Sequence, residues 1–263
     1  MRRTIHTDLN FCLMLGLFLL LLNSCTTPDA NTKSKHNLAL QQIELIACPP
    51  PDTAALFPGI NILGFMYADE ELKFAVSGIT LGVKTPGAEK RNAQVSNKGV
   101  HLHVVLNDSI HLLHYDNLIP FKLSDGNYKI AAFVTRSYHE SIKTNQAAIL
   151  RDVVLKNGKT VKSYPNSSAT LVYSAPIGHF KGKDTENIVL DFRLINTTLS
   201  PEGNKVKVTI DHQFEFMIDQ WQAYYIKGLV DGQHHIQMEL LNAEGQLRYG
   251  PVYQQIECLS EEN

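Results

Sequence analysis

The stretch Leu-Ser-Asp-Gly-Asn-Tyr-Lys-Ile at residues 123–130 returns 106 positions later as Leu-Val-Asp-Gly-Gln-His-His-Ile at residues 229–236. In both copies, Asp and Gly favour a turn in which φ is positive, and the ring that follows begins a strand. Two further pairs of segments match in the same order: 72–76 with 190–194, and 102–107 with 206–211. These ordered matches predict that the chain contains two copies of one domain.

Apolar and polar residues alternate in short runs that Gly, Asn, Asp and Pro separate. This pattern predicts sandwiches of antiparallel strands rather than alternating strands and helices. The Asp-Gly-x-aromatic element resembles the corner of immunoglobulin-like sandwiches, where a tyrosine hydroxyl donates to the backbone. Tyr128 fits that role, whereas His234 departs from it. We therefore predict an all-β protein made of two tandem immunoglobulin-like β-sandwiches.

The N-terminus has the pattern of an export signal. Arg2 and Arg3 precede the uncharged run 11–22, and Cys25 follows that run at the end of Leu-Asn-Ser-Cys. Twelve residues are too few to span a bilayer, which needs about 20. The pattern predicts a lipoprotein signal peptide over residues 1–24, with Cys25 as the acylated first residue of the mature chain. An ordinary signal peptide or an uncut anchor is the alternative. Thr26 after the cysteine favours the outer membrane.

The remaining chain divides by composition. Residues 25–37 are predicted to be a flexible tether, residues 38–158 the first, histidine-rich sandwich and residues 159–263 the second. Cys48 and Cys258 could form a disulfide in the oxidising envelope. Sandwiches placed end to end would separate them too far, which favours two unpaired thiols.

Charge and motifs exclude several classes of function. The formal net charge is −2 at pH 7, and this balance offers no electrostatic footprint for nucleic acid. No basic stretch is long enough to hold anionic lipid, so membrane attachment would depend on the acyl chains. The chain carries neither a nucleophile elbow, nor a His-Glu-x-x-His motif, nor a phosphate-binding glycine loop, which predicts a protein that is not an enzyme.

Histidines cluster in the first copy. His101 and His103 share the face of a predicted strand opposite to Leu102 and Val104, so that one ion could take an imidazole from each. Further candidate ligands for this transition-metal site are His111, His114, His139 and Glu140. A histidine-rich set suits Cu²⁺, Zn²⁺ or Ni²⁺. The alternative is that His101 and His103 face solvent while His139 and Glu140 hold a loop in place.

Two other features suggest ligand binding. Arg136 and Lys143 flank Glu140 in a predicted loop and could clamp an anion, or they could belong to a charged surface loop. Trp221 is the only tryptophan and could stack on a sugar ring. A contact within the core or between the domains would account for Trp221 equally.

With the repeat, Gly-Val-His-Leu-His-Val at residues 99–104 and Ser-Tyr-His-Glu-Ser at residues 137–141, the chain resembles an uncharacterised family of bacterial envelope lipoproteins. The resemblance implies signal-bearing tandem sandwiches and carries no established activity.

The leading prediction is a lipid-anchored envelope protein that acts as a non-enzymatic binding or structural module, with an envelope protein or a glycan as its partner. One alternative is a metal-handling envelope protein that uses the histidine-rich face. Another is a glycan-binding accessory lipoprotein at the cell surface.

Overall fold

The computed structural model describes residues 42–260, which form an all-β fold. The predicted signal peptide, Cys25 and the tether lie outside these residues. The strands, in chain order, are β1 Glu44–Ala47, β2 Asn61–Ala68, β3 Glu71–Ser77, β4 His101–Leu106, β5 Ile110–His114, β6 Leu118–Pro120, β7 Gly126–Thr135, β8 Ala148–Lys156, β9 Lys159–Pro165, β10 Thr170–Ala175, β11 Gly178–Lys181, β12 Ile188–Ile195, β13 Lys205–Ile210, β14 Phe214–Ile218, β15 Tyr224–Lys227, β16 Gly232–Leu241 and β17 Leu247–Leu259. Short 3₁₀ helices cover Thr53–Ala55, Ala88–Arg91, Asn145–Ala147 and Gly182–Thr185. Among residues 42–260, no helix has the length and apolar character needed to cross a membrane.

The strands form two β-sandwiches, each with its own hydrophobic core. In the first sandwich, the sheet β2-β3-β6 faces the sheet β5-β4-β7-β8-β9. In the second, the sheet β1-β15-β12-β10 faces the sheet β11-β17-β16-β13-β14. Both sandwiches, within residues 42–260, belong to one compact unit. The predicted fold class is confirmed.

Equivalent strands carry the internal repeat. Each matched pair of segments occupies the same place in its sandwich: β3 corresponds to β12, β4 to β13 and β7 to β16. In β4, Leu102, Val104 and Leu106 point into the first core, as the alternation predicts. The matched strands therefore occupy equivalent positions, and the two copies differ at the edges of their sheets.

Both predicted corners form, although with different chemistry. The Tyr128 hydroxyl donates to Ser124 O at 2.9 Å. In the second copy, His234 takes this place, with Nε2 lying 2.7 Å from Val230 O and Nδ1 lying 2.7 Å from an Asp211 carboxylate oxygen. Because both neighbours accept hydrogen bonds, the ring donates from both nitrogens only when it is protonated. A histidine thus replaces the tyrosine without loss of the corner.

Strand pairing moves the predicted boundary between the domains. β9 lies beyond residue 158, yet it pairs with β8 in the first sandwich, because the turn at Asn157 and Gly158 forms a hairpin. β1 lies in the segment assigned to the first domain, yet it pairs with β15 at the edge of the second sandwich. The N-terminal segment therefore completes a sheet of the C-terminal sandwich.

A glycine after β15 allows this N-terminal strand to approach. Gly228 has φ +83°, and a Cβ built on it would lie 2.2 Å from Gln42 O. Gly158 also has a positive φ, +69°, but open space surrounds its Cβ position. Substitution of Gly158 therefore tests the cost of the left-handed backbone conformation alone. Substitution of Gly228 tests the same cost together with the steric clash with Gln42.

We expect Gly158→Ala to lower the free energy of unfolding by about 1 kcal/mol, which is the penalty of the left-handed conformation. Gly228→Ala should cost at least about 1 kcal/mol more, because β1 must also be displaced. Urea unfolding of both variants provides the measurement. Equal losses would show that the N-terminal segment does not press on Gly228.

Candidate functional site

The two sandwiches pack side by side, because the outer face of one sheet of the first contacts strands of the second. The end-to-end arrangement considered for Cys48 and Cys258 does not occur. One face of this contact is the outer surface of the β4-β7-β8 part of the first sandwich. Its apolar centre, formed by Val105, Ala131, Phe133 and Leu150, packs against Val172 of β10. The second sandwich therefore helps to bury these four outward-facing side chains of the first.

Four of the candidate histidines lie at or beside this contact. His101 and His103 are 0% and 1% exposed, so the interpretation of them as solvent-facing residues is wrong. His103 Nε2 lies 2.9 Å from His111 Nδ1. The ring of His139 lies 5.5 Å from that of His101, between centroids. The ring of His111 meets Tyr173 of the second sandwich edge-on, with 6.4 Å between centroids.

Burial keeps these histidines neutral at pH 7. It lowers the pKa of His111 and of His139 to about 4. It also lowers the pKa of His101, and it lowers that of His103 well below the ordinary value of 6.5, with the neighbouring histidines adding to the effect. The cause is the loss of hydration that a charged imidazole would suffer inside the contact.

The other two candidate metal ligands lie elsewhere. His114 is paired with Leu102, which points into the first core, so His114 is on the face opposite to His103. The Glu140 carboxylate binds arginines instead. Within residues 42–260, no group of three or more His, Cys, Asp or Glu side chains is placed to hold a metal ion. Nε2 of His101 and Nδ1 of His103 have no hydrogen-bond partner within these residues. The transition-metal site stays a prediction.

A buried polar network forms the second part of the contact. The loop after β7 places the Lys143 ammonium against the carboxylate of Asp191, which is 0% exposed on β12. Asp191 also accepts from Ser141 N at 2.9 Å. Arg193, two residues further along β12, donates to Ile142 O and to Thr144 O. The loop of the first sandwich is therefore fixed to a strand of the second.

The arginines around Glu140 extend this network. Glu140 pairs with Arg136 at 3.3 Å and with Arg91 at 3.4 Å, and all three side chains are buried. Arg91 donates to Pro49 O and accepts, through its own carbonyl oxygen, from the Tyr225 hydroxyl. The interpretation of this segment as a charged surface loop is therefore wrong. The residues predicted as an anion clamp, Arg136 and Lys143, already have carboxylate partners.

Trp221 belongs to the same contact. Its indole Nε1 donates to Phe192 O at 3.1 Å. The Arg193 guanidinium lies 4.8 Å from the ring centroid, and Lys143 Nζ lies 5.5 Å from it. Cations at this range are attracted to the aromatic face. Trp221 therefore takes the interdomain role that was its alternative interpretation.

Beside the network, the two sandwiches enclose an open cleft of about 610 Å³. This volume falls in the range of small-molecule sites, which are about 300–1,000 Å³. The first sandwich contributes residues near Asn145, Arg151 and Asn166, and the second contributes residues near Arg193, Thr198 and Trp221. Amides, hydroxyls and two guanidinium groups dominate the polar side chains of its walls. Among the residues that the structure describes, no Asp or Glu lines the cleft.

Sequence reasoning found Trp221 but missed most of the cleft. Asp191 and Arg193 had a visible signal: opposite charges at alternate positions of a strand whose other residues are apolar. Such charges seldom occur on a buried face unless they are paired. The cleft residues on loops had no signal, because their proximity depends on the packing of the two sandwiches.

Both remaining cysteines are free thiols in the described residues. The disulfide between Cys48 and Cys258 is therefore absent from the structure. Burial raises the pKa of Cys48 to about 12 and that of Cys258 to about 11, so both are protonated thiols at neutral pH.

No known family model matches the chain, and no curated protein matches it. Among solved structures, the chain is similar to fibronectin(III)-like modules of CbhA from Clostridium thermocellum, with 14% identity, a TM-score of 0.29, and coverage of 74% of this chain and 90% of that one. It is also similar to the extracellular domain of a hybrid two-component system from Bacteroides thetaiotaomicron, with 9% identity and a TM-score of 0.28 over 76% of this chain and 38% of that one.

A third similar structure is SGBP-B of the mixed-linkage glucan utilization locus of Bacteroides ovatus, in complex with a mixed-linkage heptasaccharide. The identity is 9% and the TM-score 0.22, over 83% of this chain and 70% of that one. Scores at this level describe a loose likeness and identify no ligand.

Proposed function

We propose that this protein is a lipid-anchored, non-enzymatic component of the bacterial cell envelope that binds a saccharide in the cleft between its two β-sandwiches. The observation that carries the proposal is the cleft itself, about 610 Å³ in volume and walled by both sandwiches. Binding sites occur preferentially at such interfaces between domains. Several amide and hydroxyl side chains line the cleft. They can pair with the hydroxyl groups of sugars, because both kinds of group donate and accept hydrogen bonds.

The buried network supports this proposal because it fixes the two walls of the cleft. Asp191 and Arg193 bind the loop that reaches Thr144, one residue before Asn145 on the cleft wall. A site whose walls are already in place loses less entropy when the ligand binds. The network thus holds the two sandwiches in the side-by-side arrangement that forms the cleft.

Saccharide binding can be tested by filling the cleft. Thr198 is exposed on the cleft wall, and a tryptophan there would fill the cleft. In affinity electrophoresis through gels that contain a polysaccharide retarding the parent chain, Thr198→Trp should abolish the retardation. Val161→Trp, on the exposed face of β9 outside the cleft, is the matched control and should migrate as the parent chain does. Recovered oligosaccharides should keep their length. Shortened products would contradict a non-enzymatic role, and retardation that survives Thr198→Trp would place binding elsewhere.

The anchor has its own test. Cells fed a radiolabelled fatty acid should incorporate label into the parent chain, and Cys25→Ser should abolish incorporation because the acylated thiol is gone. The parent chain should partition into detergent and the variant into the aqueous phase, since more than one acyl chain is needed for stable anchoring. Equal labelling of both chains would overturn the lipoprotein proposal. This result would leave saccharide binding untouched.

A further inference from the structure

We infer that the cleft between the sandwiches selects acidic saccharides, those whose sugar units carry a carboxylate. The inference rests on the proposed function, since it names the ligand class of the same cleft. The selection of acidic saccharides is inferred from the charged side chains at the contact between the two sandwiches, in addition to the volume of the cleft.

The first observation is an excess of buried positive charge. The contact contains the cations Arg91, Arg136, Lys143 and Arg193 but only two carboxylates, those of Glu140 and Asp191. Charges removed from water are costly unless they are paired. Within residues 42–260, two cations of this contact therefore lack a carboxylate of their own.

The second observation places one of these cations on the cleft. Arg193 is 1% exposed, lines the cleft, and has no carboxylate within salt-bridge distance in the described residues. Its hydrogen bonds go to the backbone oxygens of Ile142 and Thr144, and its Nε has no partner in the described part of the chain. Burial lowers the pKa of Arg193 to about 10, so the group is still a cation at pH 7.

The third observation concerns the remaining walls. Arg151 also lines the cleft, and no hydrogen bond or ion pair of its guanidinium occurs within residues 42–260. In the described part of the chain, no Asp or Glu lines the cleft to repel an anion. Arginine suits carboxylates because its planar fork matches their two oxygens. A ligand with both hydroxyls and a carboxylate uses every kind of polar group in the cleft.

The test uses a chain that begins at Thr26, which retains both sandwiches within residues 42–260. Its calorimetric titration uses oligomers of galacturonate, glucuronate and mannuronate, each beside the matching neutral oligomer of galactose, glucose or mannose. We expect at least one acidic oligomer to bind at least about tenfold more tightly than its neutral partner.

Two isosteric variants locate the effect. Asn145 lines the cleft and Gln146 beside it does not, and both are exposed. Asn145→Asp and Gln146→Glu add the same negative charge one residue apart. We expect Asn145→Asp to weaken acidic binding by about tenfold through like-charge repulsion, and Gln146→Glu to leave it nearly unchanged. Arg151→Gln should weaken binding of the acidic oligomer more than binding of its neutral partner, because it removes a cation and keeps a polar side chain on the cleft wall.

Each outcome supports or overturns the inference. Preference for an acidic oligomer that is lost in Asn145→Asp supports it. Equal or tighter binding of the neutral oligomers overturns the inference and leaves the proposed function standing. If Asn145→Asp and Gln146→Glu change the affinity for the acidic oligomer equally, the effect comes from the overall charge of the protein and not from the cleft. This result also overturns the inference. The absence of binding by any acidic or neutral oligomer overturns both this inference and saccharide binding.

Discussion

Replacement of Asp191 by alanine is expected to lower the free energy of unfolding by about 3–5 kcal/mol. The change leaves the Lys143 ammonium without its carboxylate inside the contact, and it removes the acceptor of Ser141 N. Loss of hydration inside the contact lowers the pKa of Lys143, and the Asp191 carboxylate opposes this effect. Urea unfolding followed by circular dichroism provides the measurement.

An exposed ion pair in the equivalent strand of the first copy provides the control. Lys73 of β3 pairs with Asp69 at 3.0 Å, and the Asp69 side chain is 80% exposed. Asp69→Ala should cost no more than about 1 kcal/mol. The double variant Asp191→Leu/Lys143→Met should recover part of the loss, because it removes the Lys143 charge together with its carboxylate partner. A loss for Asp191→Ala no larger than that for Asp69→Ala would refute the role of the network.

Acid is expected to weaken the protein through the histidines of the contact. Because the pKa of His111 and of His139 is about 4 in the folded chain, against about 6.5 when unfolded, the unfolded chain binds more protons between these values. Stability is therefore fully present above pH 6.5 and falls as the pH drops towards 4. Each of the two should cost about 2 kcal/mol at pH 5 relative to pH 7.

Substitution separates this effect from other acid effects. Thermal unfolding at pH 7 and pH 5 should show a smaller acid loss for His111→Gln/His139→Gln than for the parent chain. His212→Gln, an exposed histidine outside the contact, should lose as much stability in acid as the parent chain does. An unchanged acid loss in the double variant would mean that these two imidazoles are already hydrated in the folded protein.

The sequence predicts the fold well because local patterns determine it. Alternation fixes which residues of β4 face the core, and the Asp-Gly turn fixes the corner at Tyr128. Copies of one pattern must also adopt one topology, so the repeat identifies equivalent strands before any contact is known. The boundaries between the sandwiches depend on which strands pair, and composition alone does not show that β9 pairs with β8 or that β1 pairs with β15.

The site is less accessible to sequence reasoning because it arises from contact between the sandwiches. Alternation places His101 and His103 away from the core but cannot say that a second domain covers that face. The same difficulty holds for the ion pair of Lys143 with Asp191, whose members are 48 residues apart. A polar residue on the outward face of a sandwich is exposed if that sandwich stands alone, and it is buried if a second sandwich packs on that face.

The most direct test of the account is differential scanning calorimetry of the chain that begins at Thr26. If the buried network holds the sandwiches together, the parent chain should unfold in one transition whose calorimetric and van't Hoff enthalpies agree. In Asp191→Ala the two sandwiches should separate into two transitions. Two resolved transitions in the parent chain would contradict the account, because sandwiches that unfold independently cannot hold a cleft between them.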